Sequence, residues 1–149
     1  MYDLFVSRNT AFINFSLLLL RLITGLILYV AGAGKVFAWY GGYGLKKTLE
    51  AFQSMMHINA FWAYVSSFTE LIGGFLLIIG LLTRPAALFV TINMVVATIF
   101  VGTDKFFAQG AYPLTLAITS FVILLLGPGS MSVDAWLFRS RPKKKARFR

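Results

Sequence analysis

Four long apolar stretches divide the chain, and each is long enough, or nearly so, to cross a lipid bilayer as a helix. They cover about residues 12–33, 60–82, 85–101 and 111–126. A helix needs about 20 apolar residues to cross the hydrocarbon core, so the last two stretches are near the lower limit. The pattern predicts an all-α fold, an integral membrane four-helix bundle.

The longest connection, residues 34–59, has a pattern of its own. It contains Gly41-Gly42-Tyr43-Gly44, which is a turn signal. Apolar residues then recur at helical spacing, with lysine, glutamate and glutamine between them, at Leu45, Leu49, Phe52 and Met56. This predicts a short amphipathic helix on the membrane surface. The pattern favours an interfacial connector over a lid that covers a cavity.

Composition supports a membrane location and narrows the possible chemistry. Hydrophobic residues make up 58% of the chain and charged residues only 13%, too few to cover a soluble domain. There is no cysteine, and His57 is the one histidine. Disulfides, iron–sulfur ligation and a haem held by two histidines of this chain are therefore excluded. We predict no catalytic residue and no metal site within the chain.

The formal charge of +9 is concentrated at the C-terminus, where seven of the 14 Lys and Arg residues lie between Arg139 and Arg149. We interpret residues 1–138 as the membrane domain and residues 139–149 as a basic tail. Such a tail is typical of a segment that binds anionic lipid headgroups. Nucleic acid is not an expected partner, because no folded basic module surrounds the tail.

The distribution of Lys and Arg around the spans predicts the orientation. Four spans place both termini on one side, and positive residues favour the cytoplasmic side. The side with the termini has nine such residues, Arg8, Arg84 and the seven of the tail, against four on the other, Lys35, Lys46, Lys47 and Lys105. The expected location is the inner (cytoplasmic) membrane, with both termini cytoplasmic.

Two charged residues, Arg21 and Glu70, fall inside spans, where each costs about 2.5–3.5 kcal/mol on insertion scales. Counted from the span ends at 1.5 Å per residue, Arg21 lies about 14 Å deep and Glu70 about 18 Å deep. These depths predict an ion pair. Asn93 and Thr119, about 12 and 10 Å deep, extend it into a polar layer. The layer is either a mid-membrane ligand or proton site or a set of bonds that join the helices.

Several motifs resemble the DoxX family of small four-helix membrane proteins. They are Leu19–Leu22 with Gly25, Gly34–Phe37, Glu70–Gly74, Gly80–Arg84 and Gly127–Asp134, which preserve the order and spacing of the family's motifs. The family often has a His-Gly pair before Lys-Phe, where this chain has Ala33-Gly34 before Lys35. The resemblance implies the four-helix fold and adds Lys35, Arg84 and Asp134 to the positions of interest.

Three roles stay open after these observations. The resemblance implies a small subunit of a quinone-linked membrane oxidoreductase, with quinone as a noncovalent ligand and a redox partner subunit as the electron donor. The alternatives are a structural or assembly protein without catalysis and a small-solute transporter that works as a homo-oligomer. Whether the chain takes part in an enzyme is left open, since it has no self-contained catalytic site.

Overall fold

The computed structural model describes residues 10–57, 59–101 and 109–137, and the regular elements within these ranges are all helical. The all-α prediction is therefore confirmed. The helices are α1 (Thr10–Phe37), α2 (Gly44–Met56), α3 (Ala60–Ile79), α4 (Thr83–Val101), α5 (Ala111–Leu126) and α6 (Val133–Leu137), with a 3-10 turn at Trp39–Gly41.

Three of these helices, α1, α3 and α4, are long and apolar enough to cross a membrane. Helix α5 is apolar too but has only 16 residues. Its bounds coincide with the predicted fourth stretch. Many large apolar side chains on these four helices face outward, among them Ile23, Ile72, Phe89 and Leu125. An outer surface of this kind suits lipid, and the chain is a multi-pass membrane protein.

Helices α1 and α3 pack closely because glycines line their contact. A Cβ added to Gly25 would lie 2.8 Å from the Gly74 carbonyl oxygen, and one added to Gly74 would lie 2.7 Å from that of Gly25. Gly32 meets the backbone of Leu71 in the same way, with 2.6 Å between an added Cβ and its Cα. Small residues let membrane helices approach to backbone contact. These contacts fix the register of the two helices.

Helices α4 and α5 complete the bundle around an apolar core. Helix α4 is the neighbour of α3, α5 packs along α4, and α1 also touches α5. The core side chains are Leu28, Leu77, Ala86, Ala87, Val90, Met94, Leu116, Ala117 and Ile123. Gly127, with φ +81°, ends α5 as the Gly-Pro-Gly sequence predicts.

The amphipathic helix predicted in the long connection is α2, and its existence is confirmed. It packs against α1 and α3. The Thr48 hydroxyl is buried and lies 2.8 Å from the Gly44 carbonyl and 3.4 Å from the Lys35 carbonyl. His57 ends α2 in the left-handed region, with φ +52°. The helix is thus held against the end of α1.

Three groups of residues used in the sequence argument lie outside the described residues. They are the basic tail 139–149, Arg8 and Lys105. The binding of the tail to anionic lipid and the charge count for orientation stay predictions.

Candidate functional site

The guanidinium of Arg21 is buried, with 2% of the residue exposed, and joins α1 to the segment after α5. Its Nη1 donates to the Pro128 carbonyl and its Nη2 to the Met131 carbonyl, the latter at 2.9 Å. Gly80 at the end of α3 makes room for it, since a Cβ there would lie 2.7 Å from Arg21 Cζ. Charge-assisted bonds to two carbonyls make Arg21 the centre of a structural joint.

Asp134 of α6 caps the start of α4. Its two carboxylate oxygens accept from the backbone N–H groups of Leu82 and Thr83, each at 2.8 Å. Its own N–H donates to the Gly80 carbonyl at 2.9 Å. A carboxylate at a helix N-terminus satisfies free N–H groups and complements the helix dipole. We call Arg21, Pro128, Met131 and Asp134 the C-terminal clamp.

Two further contacts hold the same segment. The Ser130 N–H donates to Asn14 Oδ1 at 3.0 Å. Arg84 Nε lies near Gly127, 3.3 Å from where a Cβ would stand. Arg84 is exposed and makes no hydrogen bond or ion pair within the described residues; it lines a shallow depression of about 390 Å³ beside Asp134. The residues 127–134 therefore form a cover over the α3–α4 turn.

The predicted ion pair between Arg21 and Glu70 is wrong. Arg21 lies against Gly80, which is ten residues from Glu70 on the same helix, or about 15 Å along the axis. The depths predicted from the sequence assumed that Phe12 and Leu82, the two span ends, lie at the same level in the membrane. Helix α1 in fact begins at least two residues earlier and continues to Phe37, so the glycine contacts set a different register.

The partner of Glu70 is Lys35, whose Nζ lies 2.6 Å from Glu70 Oε1. The sequence placed Lys35 beyond the first span, but α1 continues through it. Gly32 packs on the Glu70–Leu71 backbone, and Lys35 follows three residues later on the same face of α1. Long helical side chains lean towards the helix N-terminus, which brings Nζ back to the level of Glu70.

The Lys35–Glu70 pair is exposed unequally. Lys35 has 32% of its side chain exposed and Glu70 only 4%. Glu70 Oε2 is buried and has no hydrogen-bond partner in the described part of the chain. Tyr112 at the start of α5 is near enough for electrostatic interaction with the carboxylate. One oxygen of a carboxylate inside the bundle is therefore left without a hydrogen-bond donor.

A cleft of about 820 Å³ opens on the other side of α3, between α2, α3 and α4. Most of its wall is apolar or aromatic. Its lining includes Phe52 from α2, Trp62 and Val65 from α3, and Phe89, Ile92, Val96 and Phe100 from α4. The volume is within the usual range of about 300–1,000 Å³ for small-molecule sites.

Three polar side chains meet at the wall of this cleft, Ser66 and Thr69 from α3 and Asn93 from α4. Asn93 lies ten residues after Thr83 and Glu70 ten before Gly80, so both are about 15 Å from the α3–α4 turn. The helix bounds thus place Glu70 and Asn93 at a similar distance from this turn. We call Ser66, Thr69 and Asn93 the polar edge.

The groups of the polar edge combine two properties, because they are unbonded and they line the cleft. Half of the serine and threonine hydroxyls in the described helices donate to the carbonyl four residues earlier, namely Thr48, Ser54, Ser67, Thr91, Thr98, Thr115 and Thr119. Ser66 and Thr69 make no hydrogen bond within the described residues, and Asn93 Nδ2 is buried there without a partner. Unbonded polar groups beside an apolar cleft can orient a ligand.

The predicted polar layer is therefore divided among three places. Arg21 belongs to the C-terminal clamp, Glu70 and Asn93 lie at one level, and Thr119 is bonded to carbonyls of its own helix. The role of these residues in a ligand or proton site stays a prediction. Sequence reasoning missed Ser66 and Thr69, although their spacing with Trp62 marks one helix face. No group of acidic residues and histidines in the described ranges could hold a metal ion.

Comparison with known proteins identifies the family. The DoxX family model matches residues 16–103. A Bacillus subtilis (strain 168) protein named "Putative oxidoreductase CatD" is 32% identical over 125 residues, which cover 83% of this chain and 88% of the relative. No solved structure gives a significant match. The family match and the relative agree with the motifs around Arg21, Glu70 and Arg84, and the chain belongs to the DoxX family.

Proposed function

We propose that this chain is an accessory subunit of an oxidoreductase complex of the inner membrane, and that it binds a quinone-type ligand in the cleft between α2, α3 and α4. The observation that carries the proposal is the polar edge, three unbonded polar groups at mid-depth on a wall that is mostly apolar, with His57 and Asn59 at the end of the cleft next to α2. The printed name of the Bacillus subtilis relative supports a link to oxidoreductases.

The cleft has the chemistry that a quinone requires. Its aromatic and aliphatic walls suit a ring and a hydrocarbon tail. The Asn93 amide and the Ser66 and Thr69 hydroxyls can donate hydrogen bonds to ring carbonyls. A ligand dissolved in the bilayer can enter sideways between helices without crossing water. Such a small set of polar groups fixes the orientation of an otherwise apolar ligand.

The redox chemistry itself is assigned to the ligand and a partner subunit. A bound quinone supplies the capacity to accept or release electrons together with protons. This chain has no cysteine and one histidine, so its own residues bind and orient the ligand and exclude water around it. The electron donor or acceptor is a second protein in the complex.

The proposed topology has four spans, with α5 as the fourth and both termini in the cytoplasm. Helix α5 has 16 residues, about 24 Å, and its buried face joins the same core as α4. Because the chain has no cysteine, one introduced at Tyr43 gives a clean test. We expect it to react with an impermeant thiol reagent in intact cells. Protection there, with labelling of a cysteine after Arg149, would reverse the topology.

Ligand binding can be measured through Trp62, which lines the cleft. The other two tryptophans, Trp39 and Trp136, are replaced by phenylalanine. Decylubiquinone is then titrated into lipid nanodiscs that contain the protein. We expect saturable quenching of Trp62 fluorescence, against a linear partition background in empty nanodiscs. Absence of saturable quenching would reject the quinone site.

Matched variants test whether the polar edge is the binding determinant. Asn93→Leu removes a hydrogen-bonding group, which is worth about 1.4 kcal/mol, so we expect affinity to fall about tenfold. Thr69→Val should weaken binding, whereas Thr115→Val, at a hydroxyl bonded to its own helix, should not. Equal effects of both threonine variants would show that the polar edge is not where the ligand binds. A structural protein or a transporter would keep its cellular role in Asn93→Leu.

A further inference from the structure

Glu70 and Ser66, one residue of the polar edge, lie one turn apart on helix α3. Ser66 precedes Glu70 by four residues, so the two are neighbours on the surface of α3, with Cβ atoms about 6 Å apart. Helical side chains lean towards the N-terminus, so the Glu70 carboxylate extends towards Ser66. Ser66 lines the cleft, while Glu70 is buried behind it.

Both groups have an unused hydrogen-bonding site. Glu70 Oε2 is buried without a partner, and its other oxygen is bonded to Lys35 at 2.6 Å. The Ser66 hydroxyl makes no bond within the described residues. A carboxylate accepts hydrogen bonds only, whereas a hydroxyl both donates and accepts. A rotation of the Ser66 side chain, or one bridging water, would therefore connect the two groups. In that connection Ser66 is the donor and Glu70 the acceptor.

We propose that the buried Glu70 carboxylate, acting through Ser66, makes the cleft select the reduced, hydroxyl-bearing form of its ligand over the oxidised, carbonyl-bearing form. When the Ser66 hydroxyl donates a hydrogen bond to Glu70 Oε2, its oxygen can still accept a hydrogen bond from the cleft side. A quinol hydroxyl can donate to that oxygen, and a quinone carbonyl cannot. The inference rests on the proposed function, since it names which form of the ligand the cleft prefers.

The groups around Glu70 support this polarity. Lys35 on α1 supplies the opposite charge, and Tyr112 on α5 interacts electrostatically with the carboxylate. Tyr112 is 54% exposed, so water can satisfy its hydroxyl. Ser66 is an unbonded hydroxyl one turn before Glu70 on the same helix, and it lines the cleft. Glu70 and Ser66 are thus positioning and specificity residues for the ligand, respectively.

The test compares two affinities in the same protein. Decylubiquinol and decylubiquinone are titrated under anaerobic conditions against the Trp62 signal, and the ratio of dissociation constants is the readout. The quinol would donate a hydrogen bond to the Ser66 oxygen, which is itself bonded to the Glu70 carboxylate. We therefore expect the parent protein to bind quinol about tenfold more tightly than quinone. We expect Ser66→Ala and Glu70→Gln to bring the ratio close to one by weakening quinol binding, with little change for quinone.

Controls come from the same residue types on α2. Ser54→Ala and Glu50→Gln lie away from the cleft wall and should keep the ratio of the parent protein, as should Tyr112→Phe. Ser66→Ala alone decides the question if Glu70→Gln does not fold. Saturable binding with equal affinities in the parent, or a ratio unchanged by Ser66→Ala, would overturn the inference and leave the quinone site intact. No binding of either form would overturn both.

Discussion

The C-terminal clamp and the Lys35–Glu70 pair each bury a charged residue, but they satisfy it in different ways. Arg21 donates from both terminal nitrogens to backbone carbonyls of the segment after α5, with Nε buried and unbonded within the described residues, and it does not line the cleft between α2, α3 and α4. Glu70 has one partly exposed side-chain partner, a free oxygen, and unbonded Ser66 on the neighbouring turn facing that cleft. A buried charge bonded to backbone indicates architecture, whereas one with unused acceptors beside open space indicates binding.

The strongest test of this difference is Arg21→Leu. It removes the donors to the partly buried Pro128 and Met131 carbonyls, and each such loss costs about 1–3 kcal/mol. We expect a loss of about 3 kcal/mol in unfolding free energy, measured by thermal or denaturant unfolding in detergent. Arg21→Lys should recover less than half, because one ammonium cannot reproduce the fork. Full stability of Arg21→Lys would show that the clamp needs only a charge.

The Lys35–Glu70 pair should respond unequally to loss of either partner. Lys35→Met leaves Glu70 in the bundle without its cation, and we expect a loss of about 2–3 kcal/mol. Glu70→Leu should cost less, because Lys35 is 32% exposed on its side chain and can extend to water. The Lys35→Met/Glu70→Leu double variant should be more stable than Lys35→Met alone. Additive losses in the same unfolding assay would mean that the pair is not coupled.

Asp134→Asn tests the cap within the clamp. An amide keeps one oxygen acceptor where the carboxylate has two, so one of the Leu82 and Thr83 N–H groups loses its partner. We expect a loss of about 1 kcal/mol, with faster hydrogen exchange confined to the start of α4. Glu50→Gln, an equivalent change on α2, serves as the control. Unchanged exchange at Leu82 and Thr83 would contradict the capping role.

The smallest effect is expected for the coupling between Arg21 and Glu70, which the sequence alone predicted to form an ion pair. Arg21→Leu and Glu70→Leu should be additive to within about 0.5 kcal/mol in a double-mutant cycle, since about 15 Å of helix separates the two sites. A coupling above that value would restore the direct contact between Arg21 and Glu70 and overturn the separation into two regions.

Much of the fold follows from the sequence, because apolar length and helical periodicity are local properties. The α5 bounds, the α2 helix, the stop at Gly127 and the cap role of Ser132, which accepts from the Ala135 N–H at 3.0 Å, were all predictable. Register was not, because it depends on which glycine meets which backbone. Gly25 against Gly74 and Gly32 against Leu71 set it, and nothing in the span ends reports these contacts.

The candidate site was predictable only in part for the same reason. Glu70 and Asn93 are noticeable in a sequence because they are polar within apolar stretches, and both remain at the level of the cleft. Ser66 and Thr69 are not noticeable, since hydroxyls in membrane helices usually bond to their own helix. Their significance comes from bonds that they do not make, which is a property of the packed bundle.

The clamp also has a consequence for how the protein is made. Arg21 is bonded to residues 107 and 110 positions later in the chain, so helices α1 to α5 are synthesised before its partners. Helices α1, α3 and α4 must therefore enter the membrane while the guanidinium still lacks them. A chain that stops before Pro128 leaves the guanidinium without the Pro128 and Met131 carbonyls. The bundle can therefore close around Arg21 only after the segment that follows α5 has been synthesised.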